Sequence, residues 1–225
     1  TGILEKHFTS GVSGLLKPEN TFRKGKIIIL DFPIKEHLVS GIYAQAIYKF
    51  MWQQAMERRN IEEEDSPKPV FLWVDESQFF VNPEYDTLFQ TTARSSLVCT
   101  VYLTQNINNY YFAMGGRSPE ARAKSLLGNL ANKIFHANSD FETNRWASDI
   151  IGKEFVSMNT ASIDFNKPGS MSLSDQLHDQ FPPNDFMKLK SGTKSNNYIV
   201  EGIVIITGKE WTDEKNFLKV RFSQR

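Results

Sequence analysis

The chain has 225 residues, in which 26 Lys and Arg balance 26 Asp and Glu, with four His and a single Cys. At 40% hydrophobic and 12% aromatic it has the composition of a folded globular protein rather than a disordered one. Zero net charge excludes a uniformly basic coat for nucleic acid but leaves room for a local basic patch, and one cysteine, Cys99, excludes an internal disulfide framework or a cysteine-based zinc site.

No stretch approaches the roughly 18 consecutive apolar residues of a membrane span. The chain opens at Thr1-Gly2-Ile3 with neither initiator methionine nor signal peptide, as expected of a fragment. From residue 26 onward strand-like and helix-like pieces alternate. Lys26-Ile27-Ile28-Ile29-Leu30-Asp31-Phe32, closed by Pro33, is a continuous apolar run of strand length. Such runs suit strands buried on both faces of a parallel sheet. Residues 38–58 place Leu38, Ile42, Ile47, Phe50 and Met51 at near-helical spacing. Asn60 to Pro69 reads as an exposed loop whose Glu62-Glu63-Glu64-Asp65 is solvated. Val70–Val74 is a second strand, Val98–Thr104 a third and Lys133–Ala137 a fourth.

Ser118-Pro119-Glu120 supplies an N-cap, an N1 proline and a first-turn acid, predicting a helix to about Leu130. Asp140 caps another that stops at Gly152. Residues 157–197, rich in Ser, Asn, Asp, Pro and Gly, break the alternation; Tyr198–Thr207 and Phe217–Phe222 then read as a terminal β-hairpin. Strands alternating with helices of this size predict an α/β domain with a mainly parallel sheet.

The sharpest chemical signal is Val70-Phe71-Leu72-Trp73-Val74-Asp75-Glu76, which has the form of a Walker B element. A buried strand carries an acid to the carboxyl edge of a sheet, where ligands bind in such folds. There Asp75 can hold Mg²⁺, usually through water because that ion keeps most of its hydration shell. Glu76 can orient and deprotonate an attacking water. Acids also follow strands simply because loops are polar, so the string alone leaves both readings open. Gln105, at the carboxyl end of the third strand, would sit beside Asp75 on the same edge of a parallel sheet. An amide there can hydrogen-bond a γ-phosphate and the attacking water. Arg94, in Thr91-Thr92-Ala93-Arg94-Ser95-Ser96, precedes that strand and taken singly reads as a solvated surface charge or an ion-pair partner.

Asn108-Asn109-Tyr110-Tyr111-Phe112 with Arg117, Arg122 and Lys124 mixes aromatic and basic residues as single-strand binders do. The same pattern fits core aromatics beside a solvated helix face. The four histidines show no metal-ligand spacing, and Gly11-Val12-Ser13-Gly14 is not a nucleophile elbow.

Taken together, several segments resemble the FtsK/HerA group of motor ATPases, and within it the conjugative coupling proteins, the TraG/TraD class of type IV secretion. They are Gly25–Pro33, the strand ending in Asp75-Glu76, Gln90–Ser96, Thr104-Gln105-Asn106 and Leu127–His136. The resemblance covers roughly residues 24 to 222. It implies a RecA-like P-loop NTPase with a three-layer α-β-α core, ATP and Mg²⁺ as cofactors, and a homo-hexameric ring that moves DNA toward a secretion channel. By position Asp75 and Glu76 match the family's metal-binding and catalytic acids, and Gln105 its glutamine sensor, which also contacts nucleotide. Arg94 matches an arginine acting in trans on a neighbour's nucleotide, and Arg117, Arg122 and Lys124 fall near loops that face DNA in the ring channel. Relaxase and secretion-channel proteins are implied partners, and the cytoplasm, at the inner face of the membrane for the intact protein, is the implied location, with no membrane contact by this piece.

The departure from the family is the phosphate loop, G-x-x-x-x-G-K-[ST]. No such string occurs: Gly25-Lys26 is followed by Ile27, and Gly208-Lys209 by Glu210. Residues 1–25 are therefore expected to be a remnant or linker, with His7–Leu16 the tail of an inserted helical domain. Residues 26–225 are expected to be the C-terminal portion of an ATPase domain that is inactive alone. Two alternatives stand beside this: a non-catalytic docking module on the ATPase fold, and a motor of the same group serving DNA repair or segregation.

Overall fold

The computed structural model describes residues 16–32, 34–162, 170–211 and 215–224; the segment His7–Leu16 lies almost wholly outside them. The chain divides into two compact units, Thr1–Leu130 and Ala131–Arg225.

In the first unit, α1 (Asn20–Arg23) precedes α2 (Ile34–Glu57), which is kinked at His37. Strand β1 (Val70–Val74) pairs in parallel with β2 (Val98–Tyr102), Val70 opposite Val98 and Val74 opposite Tyr102. Helix α3 (Tyr85–Thr92) makes the crossover between them. After β2 come α4 (Ile107–Met114) and α5 (Pro119–Asn129). Trp52, Ala55, Met56, Phe89, Ala93 and Val98 form the core, with Phe22, Tyr48, Val70, Leu72 and Tyr85 packed on it.

Two expectations are corrected here. Residues 26–32 join no described sheet; Ile27 is 89% and Ile29 81% exposed. A cleft of about 1100 Å³ separates them from the edge of β1, so an apolar run of strand character pairs with none of the described strands, and Lys26 N–H donates instead to Asn20 O at 3.1 Å. Likewise α2 does not bury the stripe that spacing suggests. Ile47, Phe50 and Met51 are exposed, while the buried face carries Lys49, Trp52, Gln53 and Met56 at i, i+3, i+4 and i+7. Two of those four are polar because they serve Asp86, itself fully buried on α3. Asp86 Oδ1 accepts from Lys49 Nζ and from Gln53 Nε2 at 2.7 Å, and Oδ2 accepts from the Asn82 backbone N–H at 2.6 Å. Tyr102 donates to the same carboxylate at 3.2 Å. Burial pulls the Lys49 ammonium below its ordinary value, and the Asp86 charge and hydrogen bond pull it back up.

Removing one partner of such a pair leaves a buried charge uncompensated, which costs about 3–5 kcal/mol. Lys49→Met is therefore expected to lower unfolding stability by that order, and Lys49→Met with Asp86→Leu by clearly less, read from urea denaturation. Equal losses would show that the pair is not a unit.

In the acidic loop Glu62, Glu63 and Asp65 are exposed as expected, and Glu64 is half-buried. Arg59 is buried, and its guanidinium donates to both carboxylate oxygens of Glu64 at 2.7 Å, to Lys68 O at 2.9 Å and to Ser96 O at 3.0 Å. The Arg59 hydrogen bonds hold the Glu64 carboxyl below its usual range. The loop is thereby tied to the starts of both strands.

In the second unit, β3 (Asn132–His136), β6 (Ile199–Ile206) and β7 (Phe217–Ser223) form an antiparallel sheet in the order β3-β6-β7. The terminal hairpin is β6–β7, as expected. The sheet is not mainly parallel, however: among the described strand pairs β1–β2 alone is parallel. Strand β3 pairs with β6 because Phe135, Ile203 and Ile205 share one core with Phe217, with α6 (Phe141–Ile151) and with α7 (Pro183–Phe186). Asp140 caps α6 as predicted, accepting from Thr143 N–H at 2.9 Å. Gly202 permits the close approach of these strands, since a Cβ there would meet the His136 ring at 3.1 Å.

The Ser- and Asn-rich region contains a further antiparallel ribbon, β4 (Lys153–Ser162) with β5 (Ser170–Asp179). Its root is held by Gln180 N–H to Gly152 O at 3.1 Å and by Lys153 and Arg145 near Asp179.

Candidate functional site

Parallel pairing of β1 with β2 brings their carboxyl ends to one edge, and the ladder continues past both strands. Leu103 N–H donates to Val74 O at 3.0 Å, and Ser77 N–H returns to Leu103 O at 2.9 Å. Between these bonds sit Asp75 and Glu76. Glu76 is left-handed, φ 45° and ψ 47°, which for a residue with a Cβ costs about 1–2 kcal/mol. That turn ends the strand and starts a 3₁₀ turn over Ser77–Phe79.

The consequence is that Asp75, Glu76 and Gln105 come together as their spacing suggests. Gln105 Nε2 donates to Glu76 Oε1 at 2.8 Å. Asp75 is exposed, and its Oδ1 accepts from the Glu76 backbone N–H at 3.0 Å. One edge therefore presents two adjacent carboxylates and an amide to solvent. Such a set can take a hard cation, accept a proton from water and hydrogen-bond an oxyanion.

Behind this front stands a layer that the sequence did not single out. Gln78 Nε2 donates to Glu76 Oε2 at 2.7 Å, and Thr104 Oγ1 donates to Gln78 Oε1 at 2.9 Å. Ser77 Oγ donates to Leu103 O at 2.9 Å and bonds the Tyr110 hydroxyl on α4. Burial pushes the Tyr110 hydroxyl up to about 12, against the opposing pull of the Ser77 hydrogen bond. Ser77, Gln78 and Tyr110 are buried polar groups, and nothing in a Ser-Gln pair after a strand marks it as interior.

Arg94 lies elsewhere. It is exposed in the 3₁₀ turn Ala93–Ser96, at the amino end of β2. A five-residue strand at about 3.3 Å per residue, near 16 Å in all, separates it from the carboxylate edge. That is beyond the reach of one side chain.

Asn106, next to Gln105, caps α4 by accepting from Asn109 N–H at 2.9 Å. The aromatic run on α4 divides: Tyr110 is core, whereas Phe112 is 90% exposed. Arg117 is exposed in the turn after α4, and Arg122 and Lys124 are exposed on α5, where Lys124 pairs with Glu120 at 2.5 Å. Among the described residues no cluster of three or more His, Cys, Asp or Glu could hold a metal, and no helix is long and apolar enough to cross a membrane.

A family model described as "TraM recognition site of TraD and TraG" matches residues 69–191, a span containing every candidate residue above. Two solved structures share the fold: the bacterial conjugative coupling protein TrwBdeltaN70 in an unbound monoclinic form, and the plasmid coupling protein TrwB in complex with the non-hydrolysable GTP analogue GDPNP. Each aligns at a TM-score of 0.57 and 14% identity over 84% of this chain. The chain spans 37% of the length of each. No curated protein sequence matches it significantly.

Proposed function

Since this chain belongs to the TraD and TraG family of conjugative coupling proteins, we propose that it forms part of an ATPase that drives DNA, with bound relaxase, toward a type IV secretion channel. The observation that carries this is the Gln105–Glu76 hydrogen bond of 2.8 Å beside Asp75, on one edge of a parallel strand pair. In an α/β sheet that edge is where nucleotides bind. Residues 26–225 are the C-terminal portion of the RecA-like domain, residues 1–25 lead into it, and the phosphate-binding loop is supplied by chain outside these 225 residues.

Each residue then has a defined task. Glu76 orients the attacking water and accepts its proton. Gln105 holds the Glu76 carboxylate and exchanges that bond for one to the terminal phosphate, so that it reports nucleotide state. Asp75 fits Mg²⁺, which suits a sparse donor set because it keeps several waters and takes only one or two carboxylates. When bound, that ion neutralises charge on the phosphate oxygens. Arg94, on the opposite end of the strand pair, serves the nucleotide of a neighbour in a homo-hexamer. Arg117, in the turn between α4 and α5, and Arg122 and Lys124 on α5 contact the DNA backbone. The intact protein works at the cytoplasmic face of the inner membrane.

The test is ATP hydrolysis by the intact protein with and without DNA. Hydrolysis is expected to rise with DNA, to vanish when Mg²⁺ is chelated, and to be lost in Asp75→Asn. No DNA stimulation, or full turnover in Asp75→Asn, would sink the proposal.

A second reading, recognition of a TraM-type protein, is favoured by the family description and by the β4–β5 ribbon inside the matched span. On it Phe155 and Leu177 stand directly opposite and are 77% and 53% exposed. If docking is the whole function, Asp75→Asn will bind such a partner normally while the intact protein hydrolyses no ATP.

A further inference from the structure

The carboxylate assigned as the base is gripped from both sides, and the two amides that grip it differ in kind. Gln105 reaches Glu76 Oε1 from an exposed position at the end of β2. Gln78 reaches Oε2 at 2.7 Å from the interior, only 6% exposed. Chemistry sets the orientation of the Gln78 amide. A carboxylate only accepts, so the NH₂ must face Glu76, and the carbonyl oxygen is left to receive the Thr104 hydroxyl at 2.9 Å. The other acceptor near that hydroxyl, Asn106 O, is more distant at 3.3 Å. Gln78 therefore bridges the end of β1 to the end of β2, one residue before Gln105. Its neighbour Ser77 pins the same junction through Leu103 O and Tyr110.

We propose that Gln78 is the positioning residue for Glu76: the buried, immobile arm of a two-amide clamp whose exposed arm, Gln105, exchanges partners as nucleotide comes and goes. This rests on the catalytic role of Glu76 given above. Each carboxylate oxygen offers two lone-pair directions, so accepting from Gln78 does not consume the base. It sets the plane of the carboxylate and leaves an acceptor site for water. The constraint matters because Glu76 leaves the strand on a left-handed turn and its side chain would otherwise sample several rotamers. A misplacement of about 1 Å at a reacting group can cost on the order of 100-fold in rate.

Gln78→Met keeps the buried volume and removes the amide. In the intact protein it is expected to lower kcat roughly 10- to 100-fold with KM for ATP and the affinity for a fluorescent ATP analogue unchanged. Thr104→Val removes the hydroxyl that orients the amide, and a several-fold fall in kcat at constant KM is expected. The double variant should be no worse than Gln78→Met alone, because both act through one contact chain. Wild-type kcat in Gln78→Met, or losses that multiply in the double variant, would overturn the clamp. If Gln78→Met does not fold, Thr104→Val, at an exposed position, decides by itself, and wild-type kcat there overturns the proposal. Full turnover in Glu76→Gln overturns the role of Glu76 instead; an inactive Glu76→Gln beside an unimpaired Gln78→Met rejects the clamp alone.

Discussion

Glu76→Gln in the intact protein is expected to cut ATP turnover by about 10²–10⁴-fold, the usual worth of a positioned general base, while ATP stays bound. The substitution keeps shape and removes the charge that accepts a proton. It also disturbs the clamp in a predictable way. Both carboxylate oxygens accept from amide NH₂ groups, Gln105 at 2.8 Å and Gln78 at 2.7 Å. A side-chain amide at this position offers one oxygen and one NH₂, so one of its two amide partners can no longer donate and must flip or let go. Gln78 is buried and held by Thr104, so Gln105, at the surface, is the partner that turns away. The variant should therefore accumulate unhydrolysed nucleotide, seen as ATP rather than ADP after rapid quench of the protein–nucleotide complex. Turnover within a factor of two of wild type would remove Glu76 from the mechanism.

The parts of this site that are legible in the sequence are those that depend on strand existence and strand ends. Five apolar residues before Asp75 and the strand-forming run Val98–Tyr102 before Leu103 place both ends, and parallel pairing brings those ends to one edge. What periodicity does not carry is the identity of a strand's neighbour. Residues 26–30 have strand composition yet lie across a cleft from β1, and β3 joins the C-terminal hairpin because its apolar face belongs to the core of Phe186, Ile203 and Phe217. Hydropathy misses buried polar groups for the opposite reason: Lys49 and Gln53 on α2, and Ser77 and Gln78 after β1, are interior because each has a partner. Their partners are distant in sequence, Asp86 for the first pair and Thr104, Leu103 and Tyr110 for the second. The β4–β5 ribbon hides in a Ser- and Asn-rich stretch because its described side chains, Lys153 to Met158 and Ser174 to His178, are exposed on both faces, so the alternation that marks a half-buried strand is weak.

Arg94→Ala is expected to abolish turnover in the assembled protein, by about 10³–10⁵-fold if the residue acts as an arginine finger, with nucleotide binding spared. The reason is positional. Arg94 stands at the amino end of β2 while the carboxylates stand at the carboxyl end, too far apart for one chain to use both on one nucleotide. Its turn is anchored two residues on, where Arg59 donates to the Ser96 carbonyl at 3.0 Å, and Arg94 itself is exposed. An exposed guanidinium on a fixed turn is suited to enter a neighbour's site. Arg94→Lys should rescue poorly, because an ammonium lacks the planar fork that engages phosphate oxygens. Mixing supplies the decisive measurement. Arg94→Ala and Glu76→Gln proteins are each inactive alone, but a ring containing both has interfaces where an intact Glu76 meets a neighbour's intact Arg94. Recovered turnover on mixing, titrating with the ratio of the two, is the expected result. Rings that mix yet stay inactive would place Arg94 outside the trans role and return it to the surface charge that its sequence context also allows.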